Sequence, residues 1–183
     1  MKIVLATGGF DPLHSGHIEY LTAAKKLGDL LVVGINSDEW LKRKKGNAFM
    51  SEPDRYDVVS ALKCVDAVIL FDDADGSACD AIAMVLEAYP KDDIIFVNGG
   101  DRTADNIPEQ AVYSDHVEFV FGVGGTNKTN SSSWLLNSWT GKIRRQERER
   151  IVGLIEAERD AWTRPVSFSY KNALTALVER ISE

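Results

Sequence analysis

Short apolar runs alternate along this chain with longer stretches in which apolar positions recur every three or four residues. That alternation is the pattern of strands and helices taking turns in a parallel sheet. Residues 2–7, 30–36, 67–71, 94–98 and 117–121 read as strands. The second, Leu-Leu-Val-Val-Gly-Ile, has no polar alternation, which predicts burial on both faces. Helices are predicted over 16–27, 54–62 and 77–88, the last stopped at Tyr89-Pro90. Every strand runs out into a polar or glycine-rich segment: Thr7-Gly8-Gly9, Asn36-Ser37-Asp38, Asp72-Asp73, Asn98-Gly99-Gly100-Asp101 and Gly122-Val123-Gly124-Gly125. In an open α/β sheet these carboxyl ends line the ligand crevice. The expected fold is a doubly wound α/β sheet of five parallel strands with helices on both faces.

After Gly141 the pattern changes. Residues 144–162 read as a charged helix with Ile151, Leu154, Ile155 and Trp162 on one stripe. Thr163-Arg164-Pro165 breaks it, and 167–181 reads as a second helix carrying Tyr170, Leu174, Leu177 and Ile181. Residues 1–141 are therefore expected to be the catalytic domain. Residues 142–183 are expected to be a helical extension packed on the body or on another subunit, because forty residues seldom fold alone.

Composition narrows the classes. The 183 residues carry 21 basic and 28 acidic side chains, a net charge of −7. Residues 1–141 hold 12 and 21 of them (12 − 21 = −9), and 142–183 hold 9 and 7 (9 − 7 = +2). So acidic a body argues against broad nucleic-acid binding, which rests on neutralised phosphates. No apolar run approaches the roughly 20 residues that span a bilayer, so no membrane partner is expected. Met1-Lys2 leads straight into a strand and glycines, unlike an export signal. Two cysteines, Cys64 and Cys79, make no disulfide framework, and a reducing cytoplasm is the expected location. Against this background Lys42-Arg43-Lys44-Lys45 stands out as either a solvated loop or a landing site for a small anion.

The sharpest chemical signal is Thr7-Gly8-Gly9-Phe10-Asp11-Pro12-Leu13-His14-Ser15-Gly16-His17, at the end of the first strand and the start of the first helix. Glycines there let backbone N–H groups approach a phosphate, and the helix N-terminus adds partial positive charge. With Ser15 or Gly16 as cap, His17 falls in the first turn and His14 just ahead of it. Gly16 leaves room between the rings, so both imidazoles can donate to one anion whose charge grows in a transition state. A zinc pair lacks an evident third ligand. Glycine spacing excludes a dinucleotide fingerprint, and no Gly-Lys-Ser/Thr follows for a P-loop. A plain helix cap with incidental histidines is the bland alternative.

Gly-Phe-Asp-Pro-Leu-His-Ser-Gly-His resembles the HxGH signature of the nucleotidylyltransferase superfamily, in its cytidylyltransferase-like branch. The likeness covers roughly residues 1–140, and is nearest to glycerol-3-phosphate cytidylyltransferases and heptose-phosphate adenylyltransferase domains. Residues 28–39 look like the family's second strand and its acidic turn. Arg55 matches an arginine on the helix before the third strand. Asn98-Gly99-Gly100-Asp101 is similar to the Gly-Gly-Asp after the fourth. Lys128-Thr129-Asn130-Ser131-Ser132-Ser133 stands where the family has a Ser/Thr-rich motif opening its final helix.

The resemblance implies a Rossmann-like enzyme in which a phosphorylated alcohol or sugar attacks the α-phosphorus of a nucleoside triphosphate and pyrophosphate leaves. It implies His14, His17 and Lys44 or Lys45 as catalytic. Thr7, Gly8, Gly9, Phe10, Gly16, Gly99, Gly100, Asp101, Lys128, Thr129, Ser131 and Ser132 would bind nucleotide. Arg55 would clamp the acceptor phosphate or else pair with Glu52 at the helix surface, and Lys63 would replace a second acceptor-binding arginine. Asp11 is expected to anchor the loop and helix start, and the acidic run Asp72-Asp73-Asp75 to be solvated. Arg43 is expected to contribute little. No protein metal ligands are expected, only Mg²⁺ held mainly by the nucleotide phosphates. CTP stands slightly ahead of ATP, although the arginine of the cytidylyltransferase segment is absent from Asn127-Lys128-Thr129 and the Gly-Gly-Asp element leans toward the heptose-type enzymes. A homodimer is implied. The rival from another class is a nucleotide-binding sensor or scaffold without turnover.

Overall fold

A computed structural model describes residues 1–99, 107–125, 131–161 and 168–182. Gly100, Asp101, Lys128 and Thr129 lie outside the described residues, as does Trp162. The element order is β1 (Lys2–Gly8), α1 (Ser15–Lys25), β2 (Leu30–Ile35), α2 (Asp38–Lys45), α3 (Glu52–Ser60), β3 (Ala67–Leu70), α4 (Cys79–Ala88), β4 (Asp93–Val97), α5 (Glu109–Tyr113), β5 (Glu118–Val120), α6 (Ser132–Ala161) and α7 (Phe168–Ser182). The chain divides into two compact units, Met1–Ser132 and Ser133–Glu183. The division falls just after the first residue of α6, a helix that runs unbroken through Gly141.

In the first unit all strand pairs are parallel, in the order β3-β2-β1-β4-β5. Central strand β1 is buried from Ile3 to Ala6, and its side chains alternate between two cores. Ile3 and Leu5 join Phe96 and the α4 residues Ala81, Ile82 and Val85. Val4 and Ala6 join Val33, Val97, Leu21 and Ala24 of α1, and Val59 of α3. Each face of the sheet thus excludes water against helices, as the uninterrupted apolar strands require. The chain leaves β1 on one side and reaches β4 on the other, so the crevice opens where their carboxyl ends diverge.

Two elements differ from the sequence reading. The basic run belongs to a helix, capped at its start by Ser37, whose Oγ accepts from the Trp40 N–H, and closed by Gly46 at φ 87°. Gly46 suits that left-handed cap because it has no Cβ. Four consecutive cations therefore fill the last turn of α2, where the helix dipole favours them. The short α5 lacks the length for a periodic signal.

In the second unit, Ile151 and Ile155 of α6 are half-buried, but Leu154 of the expected stripe is exposed. Among the α7 residues whose burial is described, Leu174, Val178 and Ile181 are half-buried, while Leu177 is exposed.

Candidate functional site

The loop between β1 and α1 builds the centre of the site. Phe10 adopts φ 48°, a costly conformation for an aromatic residue, and its ring is buried in the core below the loop. That ring meets His17 edge-on, with centroids 5.2 Å apart. The cap of α1 is His14 itself, not Ser15 or Gly16. His14 Nδ1 accepts from the Gly16 N–H at 3.1 Å, and His17 Nδ1 accepts from the His14 N–H at 3.3 Å. This is a capping box in which imidazoles replace the usual hydroxyl and carboxylate. A Cβ on Gly16 would lie 3.1 Å from His14 Cε1, so glycine lets that ring fold over the helix end.

The cap fixes the histidine chemistry. A neutral imidazole that accepts at Nδ1 carries its proton on Nε2. His14 and His17 stack with centroids 3.8 Å apart and planes 24° from parallel, so two Nε2–H donors stand side by side at a helix N-terminus. Burial, reinforced by His14 and the Lys45 ammonium, lowers the His17 pKa from 6.5 to about 3. His17 is thus a neutral donor at physiological pH.

The two candidate lysines separate. Lys45 Nζ donates to the Asp11 carbonyl at 3.2 Å, which brings its charge to the histidine loop. Lys44 Nζ lies over the Trp40 ring, 4.4 Å from its centroid. Lys42 pairs with Glu39 at 2.7 Å.

Asp11 is fully buried and anchors a different segment from the one expected. Its two carboxylate oxygens accept the N–H groups of Met50 and Phe49 at 2.7 and 2.8 Å, pinning the stretch between α2 and α3 under the motif. Ser132, at the start of α6, donates from Oγ to the Pro12 carbonyl at 3.0 Å. Ser131 and Ser132 are both buried, so the helix start closes on the same loop. Thr7 and Gly8 end β1, and Gly9 follows with Leu41 packed so tightly that a Cβ would come within 2.7 Å of it. Gly99 lies across the crevice at the end of β4, against the Tyr20 ring.

Arg55 and Lys63 sit differently from what the sequence suggested. Arg55 is fully buried and forms no surface pair with Glu52. Its guanidinium donates to the Met50 carbonyl at 3.2 Å, the Gly9 and Asn36 carbonyls at 2.9 and 2.7 Å, and the Asp38 carboxylate at 2.6 Å. Four of its five N–H groups are so engaged within the fold. Lys63 is exposed in the connection before β3, at the amino-terminal edge of the sheet, where neighbouring Asp66 accepts from Leu31 and Lys25. The crevice is at the opposite edge.

The reading of the acidic run also changes at one position. Asp73 is buried and accepts from Asn36 Nδ2, the Ser37 N–H and Ser37 Oγ. Its partners lie more than thirty positions upstream, and only the alignment of β2 with β3 brings them together.

The profile of the cytidylyltransferase-like family matches residues 5–130, spanning the sheet, the histidine loop and the end of β4. This chain belongs to that family. As a member of it, the chain is a nucleotidyltransferase. It is 36% identical over 143 residues to "Bifunctional protein HldE" of Geobacter metallireducens, covering 75% of this chain and 28% of that protein. Against the protein of the same name from Helicobacter pylori it is 46% identical over 102 residues, 55% of this chain and 20% of the other. This cytidylyltransferase-like chain therefore spans under a third of the curated relatives it matches. Among solved structures, the lipopolysaccharide core biosynthesis protein of Thermoplasma volcanium is 35% identical at a TM-score of 0.53, covering 66% of this chain and 95% of that one.

Proposed function

We propose that this chain transfers an adenylyl group from ATP to the phosphate of a phosphorylated sugar, releasing pyrophosphate. The observation that carries the reading is the stacked His14–His17 pair, with its two Nε2–H donors at the N-terminus of α1. An oxygen of the acceptor phosphate attacks the α-phosphorus, and the bond from that phosphorus to the bridging oxygen of the β-phosphate breaks. Charge grows on the α-phosphoryl oxygens as this happens. Donors fixed beforehand by a capping box stabilise that charge without reorganising. Lys45 brings a positive charge to the attacking phosphate as a point charge. The glycines after β1 and β4 would admit the nucleotide, and the buried Ser131–Ser132 helix start would receive its outer phosphates.

Among the described residues, no group of three or more His, Cys, Asp or Glu could hold a metal ion. The site's side chains are donors, which fits Mg²⁺ arriving on the triphosphate. There the ion would neutralise part of the phosphate charge.

The likeness of the chain's motifs to heptose-phosphate adenylyltransferase domains, beside its match to proteins named HldE, supports ATP and a sugar phosphate over the CTP expected from sequence. Their bifunctional whole is more than three times this chain's matched length, so only the transfer half is proposed here. A homodimer, as the family resemblance implies, in the reducing cytoplasm expected from two lone cysteines completes this reading. No described helix is long and apolar enough to cross a membrane. The test is pyrophosphate release with ATP or CTP against a panel of phosphorylated sugars and polyols. Turnover with CTP alone would restore the cytidylyl reading. Nucleotide binding without release in any pairing would favour the sensor or scaffold.

A further inference from the structure

The loop after β3 takes no part in the reaction just described, yet one of its residues grips the element that carries Lys45. Asp73 is 3% exposed. Its carboxylate accepts Asn36 Nδ2 at 3.0 Å, the Ser37 N–H at 2.8 Å and the Ser37 hydroxyl at 2.6 Å. That hydroxyl is also the cap of α2, accepting the Trp40 N–H at 3.0 Å. Asp73 therefore takes the hydroxyl proton and leaves the oxygen lone pairs aimed at the helix. One turn further on, Arg43 donates to the Asp73 carbonyl at 2.7 Å, with its guanidinium 3.8 Å from Oδ1. A single loop residue holds the helix at its cap and again at its second turn.

This hold joins two others on α2, the Arg55 bond to Asp38 at its start and the Lys45 bond to the Asp11 carbonyl at its end. Eight residues are too few for a stable isolated helix, and only Leu41 among them is buried. Its last turn gathers four cations that repel one another. Released at its cap, so short a helix would present Lys45 over a spread of positions, whereas phosphate transfer needs the ammonium within hydrogen-bond reach of its target.

We infer that Asp73 is a positioning residue: it holds α2 so that Lys45 stands beside the histidine loop. The inference rests on the proposed reaction. It also gives Arg43 a role that its place in a basic run does not suggest.

The test is a double-mutant cycle on the full chain, combining Asp73→Asn with Lys45→Ala. Asparagine keeps the shape but turns an amide toward donors that need an acceptor. The KM for the phosphorylated acceptor should rise roughly 10-fold in Asp73→Asn, the size of one charge-assisted hydrogen bond. In the Lys45→Ala background the same change should add less than about 2-fold, since neighbours acting through one group are not additive. Amide exchange across 38–46 should speed up while exchange in β1 stays put, and Asp73→Glu should recover part of the acceptor affinity. Equal losses in both backgrounds would overturn the inference, as would faster exchange with unchanged kinetics, or unchanged exchange. Calorimetric titration with inorganic phosphate, standing in for the acceptor phosphate that Lys45 faces, runs the same cycle without turnover. A protein silent with every substrate pair then overturns the proposed reaction, while an additive phosphate cycle overturns the positioning role.

Discussion

Replacing Arg55 by alanine separates its two possible roles. In the fold this guanidinium supplies hydrogen bonds to the carbonyls of Gly9, Asn36 and Met50 and to the Asp38 carboxylate. Alanine leaves all four acceptors unmatched at a place with no exposed arginine surface. Breaking a buried ion pair by removing one partner costs about 3–5 kcal/mol. Asp38 is 33% exposed, so water recovers part of its loss, and the lower end, about 3 kcal/mol, is the better figure. At roughly 2–4 °C per kcal/mol for a chain of this size, the melting temperature should fall by about 6–12 °C. Arg55→Lys should lie between, since a lysine has three donors but no planar fork to reach four acceptors. Thermal and urea unfolding followed by circular dichroism measure this, with acceptor KM determined on the surviving folded protein. A melting temperature within about 2 °C of wild type together with a raised acceptor KM would refute the argument and return Arg55 to phosphate binding.

His14→Ala or His17→Ala should lower kcat by about 100-fold or more while nucleotide affinity changes far less, because the donors act on charge that appears in the transition state; steady-state kinetics beside calorimetry checks this. The His17 pKa of about 3 against 6.5 when unfolded makes the sign of its pH effect definite. The unfolded chain binds a proton that the folded one refuses, so this contribution is complete above pH 6.5 and is lost as pH falls toward 3. Urea midpoints between pH 7.5 and 4.5 should therefore drop less steeply in His17→Gln than in wild type; parallel slopes would count against it. Lys45→Ala should raise acceptor KM more than Lys44→Ala, whose ammonium rests on Trp40; equal effects that vanish with salt would mean general attraction. Light scattering should report a homodimer for the full chain and a loss of dimer or of stability on truncation after Thr140, with a full-length monomer as the contrary result.

Periodicity alone determined the five strands, the alternation of helices and the two-faced burial of the sheet. An apolar run such as Leu30 to Ile35 has nowhere to go but the middle of a parallel sheet. The histidine loop was equally legible, because glycines, two histidines and a strand-to-helix passage sit within eleven residues and interact locally. What the sequence did not determine were the roles of charged residues whose partners lie far along the chain. A lone arginine at position 55 reads the same whether it faces phosphate or the carbonyls of residues 9, 36 and 50, and Asp73 reads like Asp72 beside it. Only the pairing of β1 with β2 and of β2 with β3 converges those segments, burying one arginine and one aspartate where each must be fully matched. Lys63 shows the reverse: its distance from Arg55 along the chain is short, but the rest of α3 carries it toward the amino-terminal edge of the sheet. Local spacing encodes helices, caps and loops; which charge meets which partner is decided by strand order, and that is a property of the folded chain.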